Sequence, residues 1–353
     1  MRVSLVCSGR SFEIAPSQSI LDAAIAAGLR LAHDCRSGNC GACRARLVRG
    51  EAAHVHGPPL GLSAEDLAAG MLLMCRARAL GDLEIEVEEI HRAEEVVVKR
   101  LPCRIARVER LAHDVIALYL RLPSAEDFAF LPGQYLDVIL ARGGRRSFSI
   151  ASPPHDARPL ELHVRRAPGG EFTESLFAAD PTGKLLTIEG PRGAFHYHPP
   201  GEDERAAGPA PMLLIAGGTG YAPIQSILRH LIERGERRDL RLYFGARTEL
   251  DLYVDARIRE LVQRAPELLY RPVLSEPSPG WRGRRGPVHE AVLAEHARLD
   301  GFDVYACGPP AMIEAVRRTF PVRGADPARI YFDSFDYSPD SPIGQRSSAP
   351  TIS

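Results

Sequence analysis

The chain has 353 residues, 45% of them hydrophobic and 25% charged, with a net charge of −1. At roughly 150 residues per domain this length predicts two or three soluble globular domains, and the charge balance excludes the basic footprint of a nucleic-acid binder. No stretch is long and apolar enough to span a bilayer, and the N-terminal MRVSLVCSGR has no signal-peptide core, so a cytoplasmic protein is expected.

Residues 1–92 read as a small α+β unit. Residues 3–7 and 11–14 flank a Ser-Gly-Arg turn, which predicts a hairpin. Ser19 is placed to cap a helix running to Gly28, with Leu21, Ala24, Ile25 and Leu29 on one face. Cys35, Cys40 and Cys43 follow with the spacing C-x4-C-x2-C, and Cys75 offers a distant fourth thiol. This is the ligand pattern of a plant-type [2Fe–2S] centre. Three sulfurs from nine residues must face one point, and Gly38 and Gly41 allow the sharp bend that this needs. A structural zinc site is the competing reading, but zinc usually takes two close Cys or His pairs, and only Cys40 and Cys43 form C-x2-C. Residues 44–48 and 83–87 read as strands, and His54 and His56 as solvated histidines rather than ligands.

The segment CRSGNCGACR with its later MCR resembles the ferredoxin domain of multicomponent oxygenase reductases. The rest of the chain tests that resemblance. Residues 91–101 are expected to connect to a second, mostly β domain spanning 100–205, with strands at 103–122, 134–140, 146–151, 160–166 and 184–189 and a short helix at 173–177. Residues 201–211 read as a linker rich in charge, Gly and Pro. Over 209–335 strands alternate with helices: strands near 212–215, 240–244, 268–274, 303–306 and 329–332, and helices from Pro223 and near 255–264, 288–298 and 310–319. That rhythm predicts a parallel α/β sheet. Residues 336–353, polar with several prolines, are expected to form a flexible tail.

Two nucleotide sites are suggested. Arg146-Ser147-Phe148-Ser149, after Pro132-Gly133-Gln134-Tyr135, is similar to the R-x-Y-S signature of ferredoxin–NADP-reductase-like flavoproteins, with Phe in place of Tyr. Arg146 can pair with a pyrophosphate, Phe148 can stack on a flavin, and Ser149, followed by Ile150, can hydrogen-bond near the flavin N5. The Tyr-to-Phe change removes a hydroxyl that could touch the ribityl chain. His163-Val164-Arg165 and Gly170-Glu171-Phe172-Thr173 resemble the family's V-R…G-x-x-S segment, where a helix start holds the flavin diphosphate. The resemblance implies FAD rather than FMN. Taken alone, Arg146 would read as a surface arginine.

Gly217-Gly218-Thr219-Gly220 follows an apolar strand and opens a helix at Pro223, the context a dinucleotide loop needs. Cys307-Gly308-Pro309-Pro310 is similar to the family's C-G-P-P, which lies beside the nicotinamide; a buried structural thiol is the alternative for Cys307. Phe335 matches the C-terminal aromatic that covers the flavin face in these reductases, with Tyr331 and Phe332 read as core. Glu249 or Asp251 could accept from a ribose hydroxyl and repel a 2′-phosphate, so NADH is expected over NADPH, although Arg247 argues the other way.

The resemblance implies an NADH-dependent iron–sulfur flavoprotein. Ser149, Cys307 and Phe335 would stand at the reacting atoms, and electrons would pass from NADH through FAD and the [2Fe–2S] cluster to a terminal oxygenase or hydroxylase component. Similar chains serve the reductive deoxygenation of nucleotide-linked sugars of the CDP-6-deoxyhexose type. A redox carrier or sensor without dehydrogenase turnover is a third possibility. A monomer is expected when free, with no nucleic acid or membrane as partner.

Overall fold

The computed structural model describes residues 1–29, 31, 33, 38, 41–54, 57, 59, 61–62, 64–87, 96–141, 144–201, 208–236 and 238–335. The chain divides into two compact units, Met1–Glu95 and Val96–Ser353.

The first unit opens with β1 (Arg2–Leu5) and β2 (Ser11–Glu13), paired antiparallel across a turn in which Gly9 has φ 69°. Helix α1 (Ile20–Ala26) starts where Ser19 predicts it, because the Ser19 hydroxyl accepts from the Asp22 amide at 3.1 Å. Strands β3 (Arg44–Arg49) and β4 (Ala52–His54), the short helix α2 (Ala64–Ala68) and strands β5 (Met71–Leu73), β6 (Ala77–Ala79) and β7 (Leu83–Glu86) complete it. The main sheet runs β2-β1-β7-β3-β5, and β4 pairs with β6 beside it. Its core gathers Val3, Leu5, Ile20, Leu21, Leu73, Met74 and Ile85. Two features differ from the expectation. Strands β4, β5 and β6 span three residues each, too few to show a period in the sequence. His54 is not a solvated histidine: its Nε2 accepts from the Leu73 amide at 3.2 Å, and burial together with the charge of Arg76 lowers its pKa. His56 lies outside the described residues.

The second unit begins with β8 (Lys99–Arg110), so 99–101, expected in the connector, already belong to a strand. Strands β9 (Val115–Arg121), β10 (Tyr135–Ile139), β11 (Arg145–Ser149) and β12 (Leu160–Arg165), helix α3 (Glu171–Ala178) and strand β13 (Leu185–Arg192) follow. The single strand expected over 103–122 is a hairpin: the chain turns at 111–114, where the Leu111 and Ala112 amides donate to the Val115 carbonyl. The six strands form an antiparallel sheet in the order β11-β10-β13-β8-β9-β12. A bridge between Ile150 and Leu162 joins its two edges, which closes the sheet into a barrel around Ile105, Leu118, Leu120, Leu136, Val138 and Leu162.

An α/β layer completes the unit, built from β14 (Met212–Gly217), α4 (Tyr221–Glu233), β15 (Leu240–Ala246), α5 (Asp255–Arg264), β16 (Leu268–Leu274), β17 (Arg284–Arg285), α6 (Val288–Glu295), β18 (Asp303–Gly308), α7 (Pro310–Thr319) and β19 (Ile330–Ser334). All strand pairs are parallel, in the order β17-β16-β15-β14-β18-β19. Strands β14 and β18 are buried throughout, as central strands covered on both faces must be. Helix α4 packs Ile224, Ile227, Leu228 and Leu231 into the core on one face of the sheet, and barrel residues Val115, Phe195 and Tyr197 join that core. Each such fully buried aliphatic side chain contributes about 1.5–3 kcal/mol of transfer free energy.

Candidate redox site

Two of the expected cluster ligands are described, and the β3–β5 ladder brings them to one end. Arg44 pairs with Leu73, so Cys43 and Cys75 both lie just past the ladder's end. Cys43 is buried and its carbonyl accepts from the Met74 amide at 3.0 Å. Gly38 and Gly41 have φ 89° and 76°, conformations that admit glycine readily and other residues at a cost. Gly61 completes the cradle: its amide donates to the Gly38 carbonyl at 2.8 Å, and a Cβ there would lie 2.8 Å from the Gly41 nitrogen. Cys35 and Cys40 lie outside the described residues. The convergence of two thiols on a glycine-bent loop fits a thiolate-held cluster.

On the barrel, β10 and β11 carry the R-S-F-S segment. Alternation along β11 puts Arg146 and Phe148 on one face and Arg145, Ser147 and Ser149 on the other. Arg145 and Ser147 are spent structurally: Arg145 pairs with Glu189 at 2.6 Å and the Ser147 hydroxyl donates to Asp137 at 2.7 Å. Arg146 donates to the Arg145 carbonyl at 2.8 Å, and Phe148 rests against Phe172 of α3, ring centroids 5.8 Å apart. Ser149 is buried; Ile150 and Val164 are fully enclosed in the barrel core, leaving only their backbone to meet a cofactor. Gly170 precedes α3 where a Cβ would lie 2.9 Å from the Thr173 hydroxyl. That hydroxyl accepts from the Ala167 amide at 3.1 Å and so holds the loop closed. Glu171 and Glu174 place negative charge in the first turn of α3, which weakens the attraction of that turn for a diphosphate.

The remaining motif residues converge in the α/β layer. Strand order reverses between β14 and β18, and the loops leaving these two neighbours carry Gly218-Thr219-Gly220 and Cys307-Gly308-Pro309. In open parallel sheets this reversal point is where dinucleotides bind. Gly218 has φ 54°, and a Cβ on it would lie 3.5 Å from the Arg165 guanidinium, so the barrel's Arg165 lies beside the glycine loop. Arg165 is held by Asp114 at 3.3 Å. Gly220 serves packing: a Cβ there would lie 2.1 Å from the Cys307 carbonyl oxygen. Phe335 reaches the same place, its amide donating to the Gly308 carbonyl at 3.0 Å. Beyond β15, Asp251 is drawn into a capping box with Thr248, and Glu249 accepts from the Ser278 hydroxyl and amide, which holds its carboxyl below the usual range. Arg247 is 71% exposed.

His163 lies elsewhere. Its ring is enclosed between barrel and α/β layer, with Nδ1 2.9 Å from the Tyr253 hydroxyl and Nε2 3.1 Å from Glu161. Glu161 also accepts from Arg257 at 3.2 Å and from Gln225 at 3.3 Å. Burial would push this carboxyl up, but the hydrogen bond and charge of His163, with Arg257 and Arg229, hold it at about 2. Glu161, Tyr253 and Arg257 belong to none of the motifs. Only the polar alternation Glu161, His163, Arg165 in an otherwise apolar strand could have drawn attention to one of them.

Three family models match in the order the fold shows: a 2Fe-2S iron–sulfur cluster binding domain over residues 5–80, an oxidoreductase FAD-binding domain over 102–197 and an oxidoreductase NAD-binding domain over 214–318. The chain is 35% identical over 335 residues to the CDP-6-deoxy-L-threo-D-glycero-4-hexulose-3-dehydrase reductase of Yersinia pestis, covering 95% of this chain and 98% of that one. It is 36% identical over 338 residues to the reductase subunit of an aromatic O-demethylase from Amycolatopsis sp., covering 95% and 99%. Among solved structures it is similar to a cytochrome P450 reductase from Amycolatopsis, with a TM-score of 0.74 and 35% identity over 95% of this chain and 98% of that one. The chain therefore belongs to the family of three-domain ferredoxin–FAD–NAD reductases. It is an NAD(P)H-dependent iron–sulfur flavoprotein oxidoreductase, which sets aside the reading as a carrier without turnover.

Proposed function

We propose that this chain is the reductase component of a multicomponent oxygenase or hydroxylase, drawing electrons from NADH. The observation that carries the reading is the convergence of Arg165, Gly218, Gly308 and Phe335 at the strand-order reversal, where a nicotinamide and a barrel-bound flavin would meet. FAD, when bound, would split the electron pair of one hydride into single electrons for the cluster to carry one at a time. Arg146 and the start of α3 would hold the diphosphate, Phe148 would face the flavin ring, and Ser149 would hydrogen-bond near its reactive nitrogen. Thr219 and the loop Gly218–Gly220 would cradle the pyrophosphate of the nicotinamide cofactor. Pro309 would flank the nicotinamide, with Cys307, whose side chain is fully buried, lining the strand end behind it, and Phe335 would cover the flavin until it enters. Cys35, Cys40, Cys43 and Cys75 would hold the cluster.

Glu249, a carboxylate held in place by Ser278, would accept from a ribose hydroxyl and repel a 2′-phosphate, which supports NADH. A second partner class is favoured by the similarity to a hexulose dehydrase reductase at 35% identity over nearly full length. Reconstitution decides between them. Purified reductase with NADH should support turnover of a terminal oxygenase from its own host. Turnover with a sugar-nucleotide dehydrase and none with any oxygenase would refute the proposal.

A further inference from the structure

We infer that Glu161 is a positioning residue for hydride transfer, the junction that holds the nicotinamide half of the second unit in register on the flavin barrel. Glu161 lies on β12, two residues from His163 and four from Arg165, and the alternation of the strand points all three away from the barrel core. It is 6% exposed. Its carboxylate collects donors from both halves. From the barrel come His163 Nε2 at 3.1 Å and the Tyr119 hydroxyl, shared with Glu109, at 3.3 Å. From the α/β layer come Arg257 Nη1 of α5 at 3.2 Å and Gln225 Nε2 of α4 at 3.3 Å.

The chemistry of the acceptor orders the rest of the group. A carboxylate can only accept, so His163 Nε2 carries a proton toward it. On the other side of the ring, Nδ1 bonds the Tyr253 hydroxyl at 2.9 Å. Through His163 the same carboxylate thus holds Tyr253, which precedes α5, while Arg257 ties α5 itself to Glu161 and also to Glu109. Gln225 is shared with the Ala151 carbonyl at 3.3 Å, and the neighbouring Ser226 hydroxyl donates to the Ser152 carbonyl at 2.8 Å. So one buried anion links the helix that follows the glycine loop, and the segment that follows the Glu249 turn, to the strand that carries Arg165.

Hydride transfer depends on distance and alignment between two separately held rings, and a misplacement of about 1 Å can cost on the order of 100-fold. Directional bonds add registry to the packing between barrel and α/β layer: those to Glu161 act beside Arg229 to Asp156 and Ser226 to Ser152, and a slide of either half lengthens several of the Glu161 bonds together.

The test uses Glu161→Gln in the full chain. Glutamine keeps the volume but removes the charge and one acceptor oxygen, so it cannot serve His163, Arg257 and Gln225 together. With flavin and cluster content unchanged, kcat for NADH oxidation by ferricyanide should fall about tenfold or more while KM for NADH moves less than about twofold. A readout independent of turnover accompanies it: in the protein stripped of flavin, amide hydrogen exchange over 252–264 should rise at least about fivefold, and exchange over β9 should not change. Glu161→Asp, which restores the charge, should recover part of both. Should Glu161→Gln fail to fold, Arg257→Met, which removes the cation from the opposite half, should give the same kcat loss and the same local exchange. Unchanged kcat in the folded variant, or exchange that rises equally in the barrel and the α/β layer, overturns the inference. Neither result bears on the partner, so this test and reconstitution with an oxygenase fail independently.

Discussion

Gly220 is the point at which the glycine loop and the strand carrying Cys307 come closest, and Gly220→Ala measures how much that approach matters. The residue needs no unusual backbone, since its φ is −59°, so the effect is purely steric. An alanine Cβ would lie 2.1 Å from the Cys307 carbonyl oxygen, 2.5 Å from its carbon and 2.8 Å from the Gly308 nitrogen. All three are backbone atoms of β18, which cannot rotate away. An ordinary carbon–oxygen contact is about 3.3 Å, so the start of α4 and the end of β18 must part by about 1 Å. Forcing an extra methyl into such packing costs about 1–3 kcal/mol, which in a unit of this size lowers the melting temperature by roughly 2–10 °C. The same displacement separates the glycine loop from Cys307 and Pro309, so kcat/KM for NADH should fall by about 100-fold. Thermal melts of the flavin-loaded protein and NADH–ferricyanide kinetics read the two effects. Gly201→Ala is the control, because nothing lies within 4 Å of a Cβ there. A Gly220→Ala protein that melts and turns over like the parent would refute the close approach and, with it, the placement of the two loops.

Cys43→Ser should lose the cluster's visible absorption, because a hydroxyl is a poorer iron ligand than a thiolate, while NADH oxidation by ferricyanide persists and cytochrome c reduction falls by at least about tenfold. Full cytochrome c reduction without the cluster would show that electrons leave from the flavin. Glu161 adds a pH dependence: its folded pKa of about 2 lies below the ordinary glutamate value of 4.5, so its contribution is complete above about pH 4.5 and is lost as the pH falls toward 2. Relative to the protonated carboxyl, the difference is on the order of 3 kcal/mol, most of it lost by pH 3, and denaturant melts of Glu161→Gln between pH 5 and 3 should lose less stability than the parent. Arg247, 71% exposed beside the Glu249 turn, should govern residual use of NADPH. Wild-type protein is expected to show a higher kcat/KM with NADH, and Arg247→Ala should widen the ratio by lowering the NADPH value; an unchanged ratio would exclude Arg247 from the 2′-phosphate position.

Elements with local signals were legible in the sequence. Ser19 announces α1 because an N-cap needs only its own turn, and α5 and α7 run over the residues their periodicity marks. The α/β alternation predicts the parallel sheet because each βα unit repeats the same burial pattern. The failures have a common cause. The hairpin at 111–114 reads as continuous strand because β9 is apolar on both faces, which hides the polarity break at His113 and Asp114. Strands of three residues, such as β4 and β6, carry no period at all. His54 reads as solvated because its partner, the Leu73 amide, is 19 residues away and becomes available only when β5 forms.

The candidate site divides along the same line. Motif glycines are legible because their constraint is local to the turn, even when the atom they must avoid is remote, as the Cys307 carbonyl is for Gly220. Beyond its strand neighbour His163, the Glu161 junction is not legible, because its partners at 119, 225 and 257 lie on other strands and helices, and no spacing links them to β12. Nor would a search for stabilising interactions single it out. A buried ion pair returns little net stability, since desolvating Glu161 and Arg257 offsets most of their attraction, and an apolar pair of the same shape could serve as well or better. What an apolar pair could not supply is direction: methyl groups tolerate a slide of an ångström that a carboxylate shared by four donors does not. Chemistry that depends on the distance between two rings held by different layers gives a physical reason to keep a charge in that seam.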